Sequence, residues 1–451
     1  MTTLVKIPRK LLLAVLDDLE RAHPFAGERL GFLSFRQSAR GQAPILLCYE
    51  YHSIPDDQYI RDWTCGGRIG ADAIRAAMGR AYREQSGQLW VHTHGRHGNP
   101  IGSSQDKLDG PKVAQSILNA QPNALQGWAV VSEAGVCGEV LNKDGLVHRL
   151  SELSVVGWPM TIPIRREEDS GIEKLMKRLI ARRNGIARYD RQSFLGPNSQ
   201  SVIESARIGI VGLGGGGSHI NQQLAHIGFQ NVVLCDEDRI DMTNLNRLVG
   251  ATLQDARKKR HKVKIAERLF KKLQPKAHID AVPLIWQKKL EALRECDVVF
   301  GCIDSFSGRR DLEAFCRSLM IPYIDIGMKV MPLEGASQEI FGQAMLSLPG
   351  EACMHCLQVL TPENLAREAE DYNAGPQPQV VWPNGALAST AIGFAMGLLT
   401  GWSGSAPPQW RVDYKGSQLL ISESNLAVAM RGSSCKHYSL AGTGDGIKQR
   451  L

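Results

Sequence analysis

The stretch that most constrains this chain begins at residue 207. An apolar run, Arg207–Val211, meets Gly212-Leu213-Gly214-Gly215-Gly216-Gly217, and a helical segment follows. Glycines in that position let a phosphate approach the backbone, and the helix N-terminus behind them favours negative charge. Further β-branched apolar runs, Asn231–Asp236, Asp297–Cys302 and Ile321–Asp325, alternate with helical patterns such as Lys262–Leu273. The alternation predicts an α/β, doubly wound, parallel sheet.

Residues 1–160 have a different texture. Apolar positions at helical spacing predict a helix over 9–23, and a second is expected over Ala71–Gln85. Short strand-like runs cover Leu30–Phe35, Ile45–Tyr51, Leu89–His94 and Gly127–Val131. The block reads as α+β. Pro159, Pro163 and the run Arg165-Arg166-Glu167-Glu168-Asp169 then read as a linker, and 171–185 as a basic helix. The expected division is 1–160, 161–186 and 187–451.

The chain has 451 residues, 43% hydrophobic and 22% charged, enough apolar content for two or three globular cores. Net charge is +7, and the densest basic run is Arg257-Lys258-Lys259-Arg260-His261-Lys262. It reads as a solvated helix start, so no nucleic-acid partner is expected. Leu11–Leu16 is too short for a secretory signal and runs into Asp17-Asp18. The apolar stretch Ala386–Trp402 contains Ser389, Thr390 and several glycines and reads as a buried helix, not a membrane span. Ten cysteines then read as reduced thiols, some of them metal ligands, in a cytoplasmic protein.

Two constellations carry chemistry. In the first, His92 and His94 lie two apart on an expected strand, which would put both imidazoles on one face. Asp106 follows in a polar loop or at a helix start. Two histidines and a carboxylate leave a fourth zinc position for water. Glu28 could take that water's proton, and Ser103 could hydrogen-bond an oxyanion. The ordered set Glu-x-x-Gly-x-Leu, His-x-His, Ser-x-x-Asp over residues 9–150 resembles the JAB/JAMM metallopeptidases. The resemblance implies removal of ubiquitin-like proteins from lysines or precursors. The interval from His94 to Ser103 is one residue longer than the family's usual spacing, so Ser104 could replace Ser103.

The second constellation follows Gly212, Gly214, Gly215 and Gly217. Asp236 ends the second strand, where a dinucleotide-binding fold would also place a ribose-binding acid. The residues beyond it separate the readings: Asp238, Asn244-Leu245-Asn246-Arg247, Lys262, then Gly301-Cys302-Ile303-Asp304, with Arg188-Tyr189-Asp190-Arg191-Gln192 upstream. Over residues 185–402 this set resembles the ThiF/MoeB and ubiquitin-activating superfamily. The resemblance implies that ATP adenylates the C-terminus of a ubiquitin-like or sulfur-carrier-like small protein. It assigns Asp236 to the ribose, Asp304 to magnesium, Asn244 to phosphate orientation, and Arg247 and Lys262 to phosphate charge. It makes Arg191 an arginine that reaches into a partner subunit, which implies a homodimer. A conjugating-enzyme partner would follow in a modifier pathway.

Cys353-Met354-His355-Cys356 has zinc-knuckle spacing. With Cys435 it is expected to bind Zn2+, and His437 is the candidate fourth ligand. Residues 357–385 hold no cysteine, which leaves the usual thioester position empty. The sequence therefore reads as a JAB/JAMM-like isopeptidase fused to a ThiF/MoeB-like adenylyltransferase using ATP, Mg2+ and Zn2+. Two alternatives stay open: an N-terminal module that only binds the modifier, and sulfur-carrier activation for cofactor biosynthesis.

Overall fold

The computed structural model describes residues 2–24, 26–40, 43–164, 188–332, 338–370, 378–404 and 410–444. They form two compact units. One is built on Met1–Gly157, with 318–320 and 438–444 added; the other on Trp158–Arg317 and Ile321–His437. The expected basic helix 171–185 and the run Arg165–Asp169 lie outside the described residues.

In the first unit seven strands close a barrel: β1 (Thr2–Pro8), β2 (Gly31–Arg40), β3 (Ala43–Ser53), β4 (Gly87–His92), β5 (Gln126–Val131), β6 (Val136–Leu141) and β7 (Val147–Val156). The order is β1-β3-β2-β4-β5-β6-β7, and parallel pairing of β1 with β7 completes it. Strand period two sorts the side chains onto two faces. Leu89 and Val91 of β4 join Ala129 and Val131 of β5 in a core with Phe35, Leu46 and Val155. Helix α1 (Arg9–Leu19) adds Leu12, Val15, Leu16 and Leu19 to that core.

Trp90, Trp128 and Val130 point to the opposite face. There they meet Ala73, Ala77 and Ala81 of helix α2 (Ala71–Glu84) and Ile117 of helix α3 (Ser104–Ala120). His92 follows Val91 and so shares the face of Trp90, toward α3. A Cβ on Gly110 of α3 would overlap the Trp128 ring, so glycine sets how closely this helix approaches the sheet.

The second unit holds an eight-stranded sheet ordered β10-β9-β8-β11-β12-β13-β14-β15. Its strands are β8 (Arg207–Val211), β9 (Asn231–Cys235), β10 (His278–Val282), β11 (Val298–Gly301), β12 (Tyr323–Pro332), β13 (Gln338–Ser347), β14 (Arg411–Lys415) and β15 (Leu420–Glu423). The first five positions are parallel and the last three antiparallel, so the wholly parallel expectation is corrected to a mixed sheet. Helices Gly215–Ile227 and Val381–Thr400 pack on each other, and the latter also covers β12 and β13. The strand order reverses direction at β8, between β9 and β11, which opens a crevice at the strands' carboxyl ends.

Candidate functional site

The first unit brings Glu28, His92, His94 and Asp106 together. Strand β4 stops at His92, so His94 stands in the loop beyond it and not on the strand face expected for it. It still reaches the site. Its Nδ1 lies 2.9 Å from the Ile101 carbonyl, which turns Nε2 inward. The two Nε2 atoms are 3.2 Å apart. Asp106 places Oδ1 3.1 Å from His92 Nε2 and Oδ2 3.5 Å from His94 Nε2. Ligands at zinc distances in a tetrahedron stand roughly 3.3 Å from one another, so this donor set fits that ion. Glu28 also reaches the cluster: its Oε1 is 3.8 Å from His94 Nε2, and ligand atoms of Glu28, His92 and His94 lie within 4.8 Å of one another.

Asp106 is the third residue of α3 and completes a capping box. It accepts from the Ser103 N–H at 2.7 Å, and Ser103 Oγ accepts from the Asp106 N–H at 3.2 Å. Burial alone would raise this carboxyl; hydrogen bonding from His92 and Ser103 overcomes that and holds it well below the usual carboxylate range. Ser103 Oγ thus serves the helix end. The extra residue after His94 is absorbed in a loop tied down by Arg96, which is 3.5 Å from Glu20, 3.4 Å from Glu133 and also paired with Asp17.

The crevice of the second unit is a cavity of 340 Å³ at the ends of β8, β9, β11 and β12. Gly212 has φ +90, and a Cβ there would overlap the Cys302 carbonyl; one on Gly217 would overlap the Gly212 carbonyl. These two positions need glycine for the turn itself. Gly214, Gly215 and Gly216 line the cavity. Asp236, Asp238, Asn244, Arg247, Lys262 and Asp304 line it too, so all these sequence-expected residues converge.

Asp236 accepts from the Leu213 N–H at 2.6 Å and from the Asp238 N–H at 2.8 Å. Burial pushes its carboxyl up, while Lys262 and the two backbone donors oppose the rise. Lys262 donates to Asp238 at 2.7 Å and lies 3.9 Å from Asp236. Arg247 donates to the Thr243 carbonyl and to Asn246 Oδ1, both at 2.9 Å. Asn244 Oδ1 accepts from the Asp241 N–H at 3.1 Å and so helps close the turn that presents Arg247. Asp304 Oδ1 receives a 3.3 Å hydrogen bond from Gln379.

Comparison with known proteins matches the ThiF family over residues 189–430, more than half of the chain. The chain belongs to the ThiF family. It is 28% identical over 236 residues to the sulfur carrier protein ThiS adenylyltransferase of Escherichia coli, covering 51% of this chain and 88% of the relative. It is 33% identical over 189 residues to the E. coli molybdopterin-synthase adenylyltransferase, covering 40% and 70%. The SAMP-activating enzyme E1 of Haloferax volcanii is 30% identical over 183 residues, covering 40% and 64%.

Within the ThiF segment, the cavity residues that sequence reasoning missed include Arg309, Gln379 and Asn384. Asn384 interrupts an apolar helix, a signal that could have been read. Its amide donates to the Val380 carbonyl at 2.9 Å and faces Gly215 and Gly216. Arg191 does not line this cavity. It is exposed on a short 3-10 helix, Asp190–Leu195, and among the described residues makes no hydrogen bond or ion pair. Its neighbours are anchored: Tyr189 Oη accepts from Gln274 at 2.8 Å, and Gln192 donates to the Ile227 carbonyl at 2.9 Å.

Cys353, Cys356, Cys435 and His437 meet. Cys356 Sγ is 3.6 Å from Cys353 Sγ and 3.9 Å from Cys435 Sγ, and His437 Nδ1 is 3.5 and 3.4 Å from the first two sulfurs. A tetrahedral zinc with these ligand types sets its sulfurs about 3.7 Å apart, so the cluster has the size of one ion. Buried Glu313 and Arg317 hold the loop. Glu313 accepts from the Met354 N–H at 2.9 Å, and Arg317 donates to the Glu351 and Ala352 carbonyls at 3.1 and 2.9 Å. Burial and then nearby Asp325 push the Cys302 thiol up, which disfavours a nucleophilic role there. Among the described residues no helix is long and apolar enough to cross a membrane.

Proposed function

We propose that this ThiF-family chain uses ATP to adenylate the C-terminal carboxylate of a small ubiquitin-like or sulfur-carrier-like protein. The observation that carries the reading is the convergence of Asp236, Asn244, Arg247, Lys262 and Asp304 around a glycine turn in one cavity. The relatives' own names, adenylyltransferases of sulfur carrier proteins and an activating enzyme, support the substrate class.

The carboxylate attacks the α-phosphorus, the bond to the β-phosphate oxygen breaks, and pyrophosphate leaves. Backbone N–H groups at the start of helix Gly215–Ile227 point toward phosphate. Arg247 and Lys262 supply positive charge where it accumulates in the transition state. For that, Lys262 exchanges its bond to Asp238 for one to phosphate. Asp236, already bound by two backbone donors, keeps one face for the ribose hydroxyls. Asp304 offers a hard carboxylate oxygen at the cavity wall, contacted among the described residues by Gln379 at 3.3 Å, and so fits magnesium. Magnesium there would neutralise phosphate charge. Arg191, exposed and three residues from exposed Phe194, would serve the site of a second subunit in a homodimer.

For residues 1–160 the proposal is a zinc-dependent JAB/JAMM-like isopeptidase acting on the same modifier, and for 187–451 the adenylation domain. His92, His94 and Asp106 would hold the ion, which supplies an acidic water at neutral pH. Glu28, partly exposed, takes the proton. Cys353, Cys356, Cys435 and His437 would hold a second, closed zinc site with a structural role.

The test is modifier-dependent exchange of labelled pyrophosphate into ATP, with cleavage of a modifier fusion by the full chain. Tight NAD binding without exchange counts against adenylation. Exchange without cleavage leaves the first unit as a modifier-binding module.

A further inference from the structure

A buried polar chain lies under the Asp304 loop, and the adenylation chemistry leaves it without a task. Arg309, on helix Phe306–Ser318, is almost fully buried. Its Nε donates to the Ile303 carbonyl at 2.7 Å, one residue before Asp304. Its Nη1 lies 3.5 Å from Asp325 Oδ2, and Asp325 Oδ1 accepts from the Tyr323 hydroxyl at 2.9 Å. Asp325 and Tyr323 are fully buried on β12.

Room for this chain is made by glycine. A Cβ on Gly327 would overlap the Arg309 guanidinium, and one on Gly301 would overlap the Tyr323 hydroxyl. Two strands therefore give up side chains to admit three polar ones. Buried ion pairs are poor devices for stability, because apolar residues of similar volume do as well or better. Their attested use is to fix geometry.

We infer that Arg309 is a positioning residue, held by Asp325 and Tyr323, that sets the Asp304 carboxylate for magnesium through its hydrogen bond to the Ile303 carbonyl. This rests on the adenylation reading. The guanidinium suits the task because it donates along Nε and pairs along Nη1 at once. A lysine has one point charge and cannot do both.

The experiment is calorimetric titration of the full chain with ATP, once in excess Mg2+ and once in EDTA. Magnesium should tighten binding to the wild type by at least about tenfold. Arg309→Met should lose that gain, as Asp304→Asn does, and keep its EDTA affinity within about twofold. Arg309→Lys should fail to restore it. The double variant Arg309→Met/Asp325→Leu replaces the pair by apolar groups. It should melt near the wild-type temperature and still lack the gain, which separates positioning from collapse.

A full magnesium gain in Arg309→Met or in Arg309→Lys overturns the inference. So does a loss of affinity in EDTA as large as the loss in magnesium, because Arg309 would then bind phosphate directly. A wild type that binds no nucleotide in either condition sinks the adenylation reading itself, and this inference with it.

Discussion

Asp236 accepts a 2.6 Å hydrogen bond from the backbone N–H of Leu213. The end of β9 is thereby tied to the glycine turn after β8, and the ribose and phosphate ends of the cavity are set by one carboxylate. Asp236→Ala should raise the ATP dissociation constant by about ten- to a hundredfold, from a lost charge-assisted contact and a loosened turn. Titration with a fluorescent ATP analogue reads this. An unchanged constant would remove Asp236 from the site.

Asp304→Ala should abolish pyrophosphate exchange, and Arg247→Ala should slow it by about a hundred- to a thousandfold, as expected for loss of a group aimed at transition-state charge. Rates measured at saturating ATP separate this from weaker binding. A rate within a few per cent of wild type in either variant would contradict the assignment.

Arg191→Ala should be inactive as a homodimer, since its charge is proposed to act in the partner's site. Mixed with Asp304→Ala subunits it should regain activity, because one site in each mixed dimer then holds both groups. Absence of recovery after demonstrated subunit exchange would place Arg191 outside the partner's site.

Elemental analysis should find two zinc ions per chain. Glu28→Gln should retain both and lose cleavage of the modifier fusion, because Glu28 is proposed as the base and not as a ligand. His94→Ala should lose one ion and cleavage together. His437→Ala should weaken the other ion and lower the melting temperature without affecting cleavage. A folded chain that takes up no zinc at His92, His94 and Asp106 leaves a binding module.

His52 gives a pH signature of stability. Burial, and then Arg80, depress it to about 4, while Ser34 Oγ lies 2.9 Å from its Nε2. The unfolded chain takes up a proton near the ordinary histidine value and the folded chain does not. Its stabilising neutrality is complete above that value and lost as pH falls toward about 4. Denaturant titrations at several pH values should show a shallower acid slope in His52→Gln than in wild type.

Much of the nucleotide site was legible because its residues are local to strand ends. The helix Lys262–Leu273 and strand β8 fall where apolar spacing places them. Helix α3 was legible only as one of two readings for Asp106, and its extent was not, since Gly110-Pro111 stands at its centre; Gly110 is demanded by Trp128, a contact across the fold. The antiparallel strands β13 to β15 also escaped. Leu420 and Ile421 are substantially exposed, and no continuous apolar run marks an edge strand. His94 reaches the cluster by another route than the expected strand face: a carbonyl seven residues on aims it. Arg309 gave no signal, because a charged residue in a polar helix looks solvated until β12 is packed beside it.

Asp106 has its two oxygens committed in different directions, one toward His92 and one to the Ser103 N–H that begins α3. The same carboxylate therefore belongs to the proposed zinc centre and to a structural joint. Its loss would remove a donor from the cluster and also strip α3 of its capping box, at a cost of about 1 kcal/mol. Glu28 stands apart from that helix cap, so a change there separates the proposed chemistry from the fold, whereas a change at Asp106 touches both at once.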